Sequence, residues 1–268
     1  MLDNHNYEYS PHCSRDARFE YQAAIKMYNT NFRKYLTGSK YRSLYEDTYR
    51  IIEDEHFKIV VKLEDGTFTE ITVTTLPSNH ELINNIKDFC IKYFKNRKNG
   101  NCRLTSGDGG TMNVIGMNAK LKRGYNINDD LNSDLRHVSE MASEYYKSLF
   151  EYEASTMIEN STHHERIKEM KDCIVSEFLV SKDLVNASHL DSFDTSMSIA
   201  TWVEEIENDA KGWNFILPNV TSDGEKGTVI PLSHGKIITW DGTKIFHCSS
   251  INTLNKDNHV YGFFFGVK

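Results

Sequence analysis

The last third of the chain is a succession of short apolar runs, each too brief for a helix and too regular for a loop. They read CIVSEFLV (173–180), SMSIATWV (196–203), WNFILP (213–218), KIITW (236–240), TKIFH (243–247) and HVYGFFFGV (259–267). β-Branched and aromatic residues dominate them, as the pleated surface of a strand favours. Asp223–Gly224, His234–Gly235 and Asp241–Gly242 separate several of them as turn signals. The segment 173–268 therefore predicts an all-β half.

Two of these runs are flanked by side chains that bind metals. His189 and Asp191 stand as H-x-D in NASHLDSF, and His247 ends TKIFH. In extended backbone, residues two apart point the same way, so His189 and Asp191 share a side. The second imidazole must then arrive from a distant strand, which a barrel supplies and a single helix does not. Two imidazoles and one carboxylate on one face of a metal, with the other positions open, is a donor set for non-haem Fe(II). Cys248 follows His247 directly, and alternation turns it away from such a metal toward packing.

From H-x-D to the distal His the chain resembles the Fe(II)/2-oxoglutarate oxygenase superfamily. The Gly-Lys-Ile-Ile-Thr-Trp strand ahead of His247 is similar to the strand that precedes the distal His there, and WNFILP falls where relatives show Gly-Gly-x-Phe-x-Leu/Pro. The resemblance covers residues 173–268. It implies an α+β fold, with a double-stranded β-helix (jelly-roll) core in the C-terminal half and an N-terminal helical support layer. It also implies Fe(II) on His189, Asp191 and His247, with 2-oxoglutarate and O2 as co-substrates. The implied reaction is oxidative decarboxylation of 2-oxoglutarate coupled to oxidation of a substrate C–H bond.

One element of that pattern is absent. Relatives carry Arg or Lys about ten residues beyond the distal His to pair with the far carboxylate of 2-oxoglutarate, a task that suits a cationic fork. Here the segment reads SSINTLNKDNHVYGFFFG. The candidates are His259, Tyr261 and Lys256, in that order. Asn186 and Ser198 point toward the same cavity and could orient the co-substrate or a metal ligand. The missing cation keeps an alternative open, a cupin-like metal-binding jelly roll or pseudoenzyme without 2-oxoglutarate turnover. A metal-free β-sandwich binding module is a third reading, and it would leave His189 and His247 apart.

The first 172 residues read mainly as helical support, packed with the β half as a single domain over 1–268. SRDARFEYQAAIKMYNTNFRKYL (14–36) has apolar residues at helical period between Ser14 and Gly38, and a second helix is expected over 39–55. FKIVVKL and TFTEITVTT flank Asp65–Gly66 as a β-hairpin within 57–75. NHELINNIKDFCIKYFKN (79–96) returns to helical period, and one or two more helices are expected within 133–171. His163 and His164 read as surface residues, because neighbours on a helix diverge. Trp202, Trp213 and Trp240 read as core.

Charge bears on partners. Residues 87–123 hold Lys87, Lys92, Lys95, Arg97, Lys98, Arg103, Lys120, Lys122 and Arg123 against Asp88 and Asp108. A phosphate-facing surface or a Gly-rich lid over the barrel mouth would suit them. The formal net charge of the whole chain is −7, which opposes attraction of a polyanion and favours a solvated loop. The lead-in FLVSKDLVNASHLDS loosely resembles that of the ten-eleven-translocation and J-binding-protein DNA oxygenases, so a nucleobase, a protein side chain and a small metabolite all stand as substrate classes. No apolar run reaches the length that spans a bilayer, no basic-then-apolar leader opens the chain, and the five Cys form no C-x-x-C pair. These features predict a reducing intracellular compartment and no membrane partner.

Overall fold

The computed structural model describes residues 3–9, 49–96, 109–118, 123–124, 129–161, 177–186, 188–191, 197–207, 209–210, 212–222, 227–250 and 258–266. The expected helix at 14–36, His163, His164, the turn at Asp223–Gly224 and Lys256 lie outside them.

Two sheets stack face to face. The larger runs in the order β10-β1-β3-β4-β12-β8-β14-β7-β5-β6. Its strands are β1 (Asp3–Tyr9), β3 (Phe57–Lys62), β4 (Phe68–Thr75), β5 (Gly109–Asn118), β6 (Arg123–Gly124), β7 (Glu177–Val185), β8 (Ser198–Glu204), β10 (Val220–Thr221), β12 (Lys236–Trp240) and β14 (Val260–Gly266). The smaller runs β13-β9-β11-β2, made of β2 (Arg50–Ile51), β9 (Asn214–Leu217), β11 (Thr228–Pro231) and β13 (Cys248–Ser250). Helices α1 (Glu81–Asn96), α2 (Asp129–Leu149) and α3 (Glu151–Ser161) complete the described elements. None of these helices is long and apolar enough to cross a membrane. The architecture is an α+β double-stranded β-helix.

Alternation along each strand sorts its side chains between two cores. Phe57, Ile59, Val61, Ile71, Val73, Trp202, Ile238 and Trp240 face Phe215, Ile216, Leu217, Val229 and Ile230 of the smaller sheet. On the opposite face of the larger sheet, Phe178, Val180, Ile199, Val203, Ile237, Phe263 and Phe265 pack against Leu82, Ile83, Ile86, Phe89, Leu135, Val138 and Tyr146 of the helices. Thr72 and Thr239 reach the same helical layer, each with its hydroxyl directed at the buried Glu153 carboxylate of α3, at 3.2 and 3.4 Å. Tyr146 likewise shares a hydrogen bond with Thr201. The helices thus share the second of these cores with the larger sheet.

Several sequence expectations change here. The hairpin at 57–75 forms as read, with Gly66 at φ 80° and Asp65 Oδ1 accepting from Thr67 N at 2.9 Å. It is not an appendage, because β4 pairs antiparallel with β12 and carries the barrel's sheet onward to β3 and β1. The end of the expected 39–55 helix is instead strand β2, parallel to β11. Within the stretch read as a Gly-rich loop, 109–118 is a strand paired with β7. TKIFH is a turn over 242–244 that delivers His247 to the start of β13, not a strand of its own. At β2 the helical period of 39–55 was outweighed by a pairing partner far away in sequence.

Candidate metal centre

His189 and His247 are joined through their backbones. Each N–H donates to the other's carbonyl at 3.1 Å, forming an isolated antiparallel bridge. This fixes the two Cα atoms across one rung, so both rings project to one side with centroids 4.5 Å apart. Asp191 is tied in by its own N–H, which donates to the Gly242 carbonyl at 2.8 Å. Its carboxylate then divides between the rings. Oδ1 lies 3.4 Å from His189 Nε2, and Oδ2 lies 3.4 Å from His247 Nε2. The three potential ligand atoms all lie within 4.8 Å of one another.

The surroundings of His247 fix how its imidazole is presented. Its Nδ1 lies 3.0 Å from the Ile245 carbonyl, which can accept only a proton-bearing nitrogen. That hydrogen bond leaves the Nε2 lone pair free to face Asp191. Burial holds the ring's pKa below the ordinary histidine value, with Asp191 opposing. Phe215 stacks on it at 5.7 Å and Trp240 tilts against it at 5.1 Å. His189, by contrast, has 41% of its side chain exposed. The site is therefore dry and aromatic behind His247, and open at His189.

Asn186, just past β7, braces this arrangement. Its Oδ1 accepts from Ser249 N at 2.7 Å and lies 3.0 Å from Ser249 Oγ, which is also 3.1 Å from the Leu184 carbonyl. The H-x-D segment is thereby locked to the strand carrying the distal His. Ser198 is buried opposite Trp240 in register, on the barrel-facing side by alternation with Ala200 and Trp202. Cys248 is buried with Sγ 3.9 Å from the Ile216 carbonyl, in the packing role expected.

The anchor candidates fare differently. On β14, Val260 and Phe264 belong to the barrel core, whereas Tyr261, Phe263 and Phe265 belong to the helical side. Tyr261 stacks on Phe94 of α1 at 5.8 Å and donates its hydroxyl to Glu205 at 2.9 Å. Tyr261, a candidate anchor from the sequence, thus lies on the helical side of the sheet, away from the barrel core. His259 places Nδ1 2.8 Å from Asp183 Oδ2, so it already has a carboxylate partner at the sheet's rim. Along β12, Lys236 alternates onto the face of Ile238 and Trp240. It is 3% exposed, and its ammonium has no hydrogen bond or ion pair among the described residues. Burial pushes its pKa down, with Glu55 and Asp54 opposing. Sequence reading missed Lys236, although a Lys at the parity of Ile238 and Trp240 in KIITW was a visible signal.

No family model matches the chain, and no curated protein matches it. Solved structures do. NgTET1 in complex with 5mC DNA superposes with a TM-score of 0.57 at 14% identity, covering 82% of each chain. The fold is that of NgTET1. An oxidoreductase of the 2OG-Fe(II) oxygenase family from Burkholderia pseudomallei aligns over 72% of this chain and 84% of its own, with TM-score 0.47 and 12% identity. A Pseudomonas putida prolyl-4-hydroxylase aligns over 74% and 92%, with TM-score 0.39 and 11% identity.

Proposed function

We propose that this protein is an Fe(II)- and 2-oxoglutarate-dependent dioxygenase that oxidises a C–H bond of its substrate. The observation that carries the reading is the convergence of His189, Asp191 and His247 within 4.8 Å in a double-stranded β-helix. The donor set fits iron: two neutral imidazoles and one carboxylate, with no thiolate among them. Iron held there supplies the redox chemistry that couples decarboxylation of 2-oxoglutarate by O2 to substrate oxidation.

The chain's own groups bind, orient and exclude water. His189, Asp191 and His247 hold the metal. The Ile245 carbonyl fixes the His247 tautomer. Phe215 and Trp240 keep water from the buried side. Asn186 acts through Ser249 to hold the two ligand segments in register, and Ser198 lines the barrel beside Trp240. For the far carboxylate of the co-substrate, Lys236 is the cation best suited, because a desolvated carboxylate needs a charged or hydroxyl partner. His259 would have to give up Asp183, and Lys256 stands as the remaining alternative. The helices and β core act in this reading as one domain, in a reducing intracellular compartment.

A nucleobase, a protein side chain and a small metabolite remain the substrate classes. Lys92, part of the basic stretch, is paired with Asp134, which together with the net charge of −7 disfavours a nucleic-acid surface there. A metal-binding jelly roll without turnover is the second reading, favoured by the barrel-facing side of β14, which offers Val260, Gly262 and Phe264 and no cation. The test is succinate release by the purified protein given Fe(II), O2 and 2-oxoglutarate, first alone and then with 5mC DNA, peptides and metabolite pools. Metal binding without succinate under all of these conditions selects the second reading.

A further inference from the structure

Gly242 is a glycine for which backbone conformation gives no reason. It is not among the described glycines with positive φ, which are Gly66, Gly110, Gly212 and Gly235. Its φ therefore lies outside the left-handed region that favours glycine. What forbids a side chain is Asp191. A Cβ built on Gly242 would lie deep inside van der Waals contact of Asp191 Oδ2, 3.0 Å from Cγ and 3.1 Å from Cβ. The carboxylate occupies the space that a side chain at 242 would fill.

The position of Gly242 is itself fixed by a local turn. Asp241 Oδ1 accepts from Thr243 N at 3.1 Å and from Thr243 Oγ1 at 2.6 Å. The Asp241 carbonyl accepts from Lys244 N at 3.1 Å and Ile245 N at 3.0 Å. Asp241 is buried, so this turn is held rigidly at the end of β12. Gly242 also receives the Asp191 N–H on its carbonyl at 2.8 Å. The same residue therefore holds Asp191 by its backbone and shapes the pocket for its carboxylate. Oδ2, the oxygen set against Gly242, is the one facing His247 Nε2.

We infer that Gly242 is a positioning residue of the metal centre: its missing side chain is the recess that lets the Asp191 carboxylate turn toward His247. The inference rests on the reading of Asp191 as a metal ligand. Interiors do not yield easily to an added methyl, so a Cβ here must rotate or displace the carboxylate. The turn that carries Gly242 lies between β12 and His247, so it sets both the recess and the approach of the distal ligand.

The experiment titrates full-length protein with Co(II), following affinity by calorimetry and ligand geometry by the visible bands of the bound ion. Wild type, Gly242→Ala, Asp191→Ala and the double variant are compared, with thermal unfolding of each metal-free protein. Gly242→Ala should weaken Co(II) binding by about 10- to 100-fold, the range found when groups orienting a ligand are altered, and should change the visible spectrum. In the Asp191→Ala background, Gly242→Ala should cost far less, because the colliding carboxylate is gone and only the 3.1 Å contact with the Cβ of residue 191 remains. If Gly242→Ala does not fold, folding of the double variant supports the collision, and its failure to fold overturns the inference. Wild-type affinity and spectrum in Gly242→Ala also overturn it while leaving Asp191 a ligand. Absence of Co(II) binding in wild type, or full binding in Asp191→Ala, sinks the metal-site reading instead.

Discussion

His189 and His247 exchange two backbone hydrogen bonds of 3.1 Å, so the candidate metal ligands are held together by the main chain before any metal is bound. Removing metal with a chelator should therefore leave the fold intact, with near-ultraviolet circular dichroism unchanged. Asp191→Ala should lose more than about 100-fold in Fe(II) affinity, since a ligand matters more than the groups around it, and should abolish succinate production. Retained turnover in that variant would end the assignment.

Asn186→Ala tests the brace. It removes the acceptor for Ser249 N and strands a buried N–H, a loss of about 1–3 kcal/mol. For a chain of this size that is a fall of roughly 2–10 °C in Tm. Metal affinity should drop alongside, because the bridge between the ligand segments loosens. A variant with unchanged Tm would show that water or a neighbour replaces the amide.

Lys236→Met separates binding from stability. A charge-assisted hydrogen bond contributes about 1.5–3 kcal/mol, so 2-oxoglutarate affinity should fall about 10- to 100-fold, with Fe(II) affinity unchanged. The metal-free variant should unfold at a higher temperature, since an ammonium in a residue 3% exposed, with no hydrogen bond or ion pair among the described residues, is replaced by an apolar chain of similar length. Unaltered co-substrate affinity by calorimetry would move the anchor to His259 or Lys256.

His234 sets a pH dependence away from the metal. Its Nδ1 accepts from Glu204 N at 3.0 Å, and burial lowers its pKa from 6.5, with Glu207 opposing. The folded ring stays neutral where the unfolded ring takes up a proton. The contribution is thus present above pH 6.5 and lost as pH falls below it toward the depressed folded pKa. Tm measured from about pH 5 to pH 8 should rise more steeply in wild type than in His234→Gln. Parallel profiles would assign the slope to other groups.

Much of the barrel was legible because its cause is local. Short apolar runs rich in β-branched and aromatic residues marked β8, β9, β12 and β14, and Asp65–Gly66 marked the hairpin, since strand preference and turn dihedrals follow from adjacent residues. The spacing of His189 and Asp191 put two donors on one side for the same reason. Other features depend on partners distant in sequence. β2 and β5 form because β11 and β7 offer unpaired edges, and no periodicity within 39–55 or 87–123 announces that.

The sequence by itself determined which side chains could bind a metal and most of the strands after residue 173, because both depend on residue chemistry and local strand preference. Only the tertiary structure decided which face of each strand looks into the barrel. That choice turns Tyr261 toward Phe94, gives His259 to Asp183 and sets Lys236 on the face of Ile238 and Trp240. It also gave Gly242 its meaning, since the space above a glycine depends on whatever side chain the fold brings there. Strand parity relative to a core is fixed by the whole sheet's packing, and no single segment contains it.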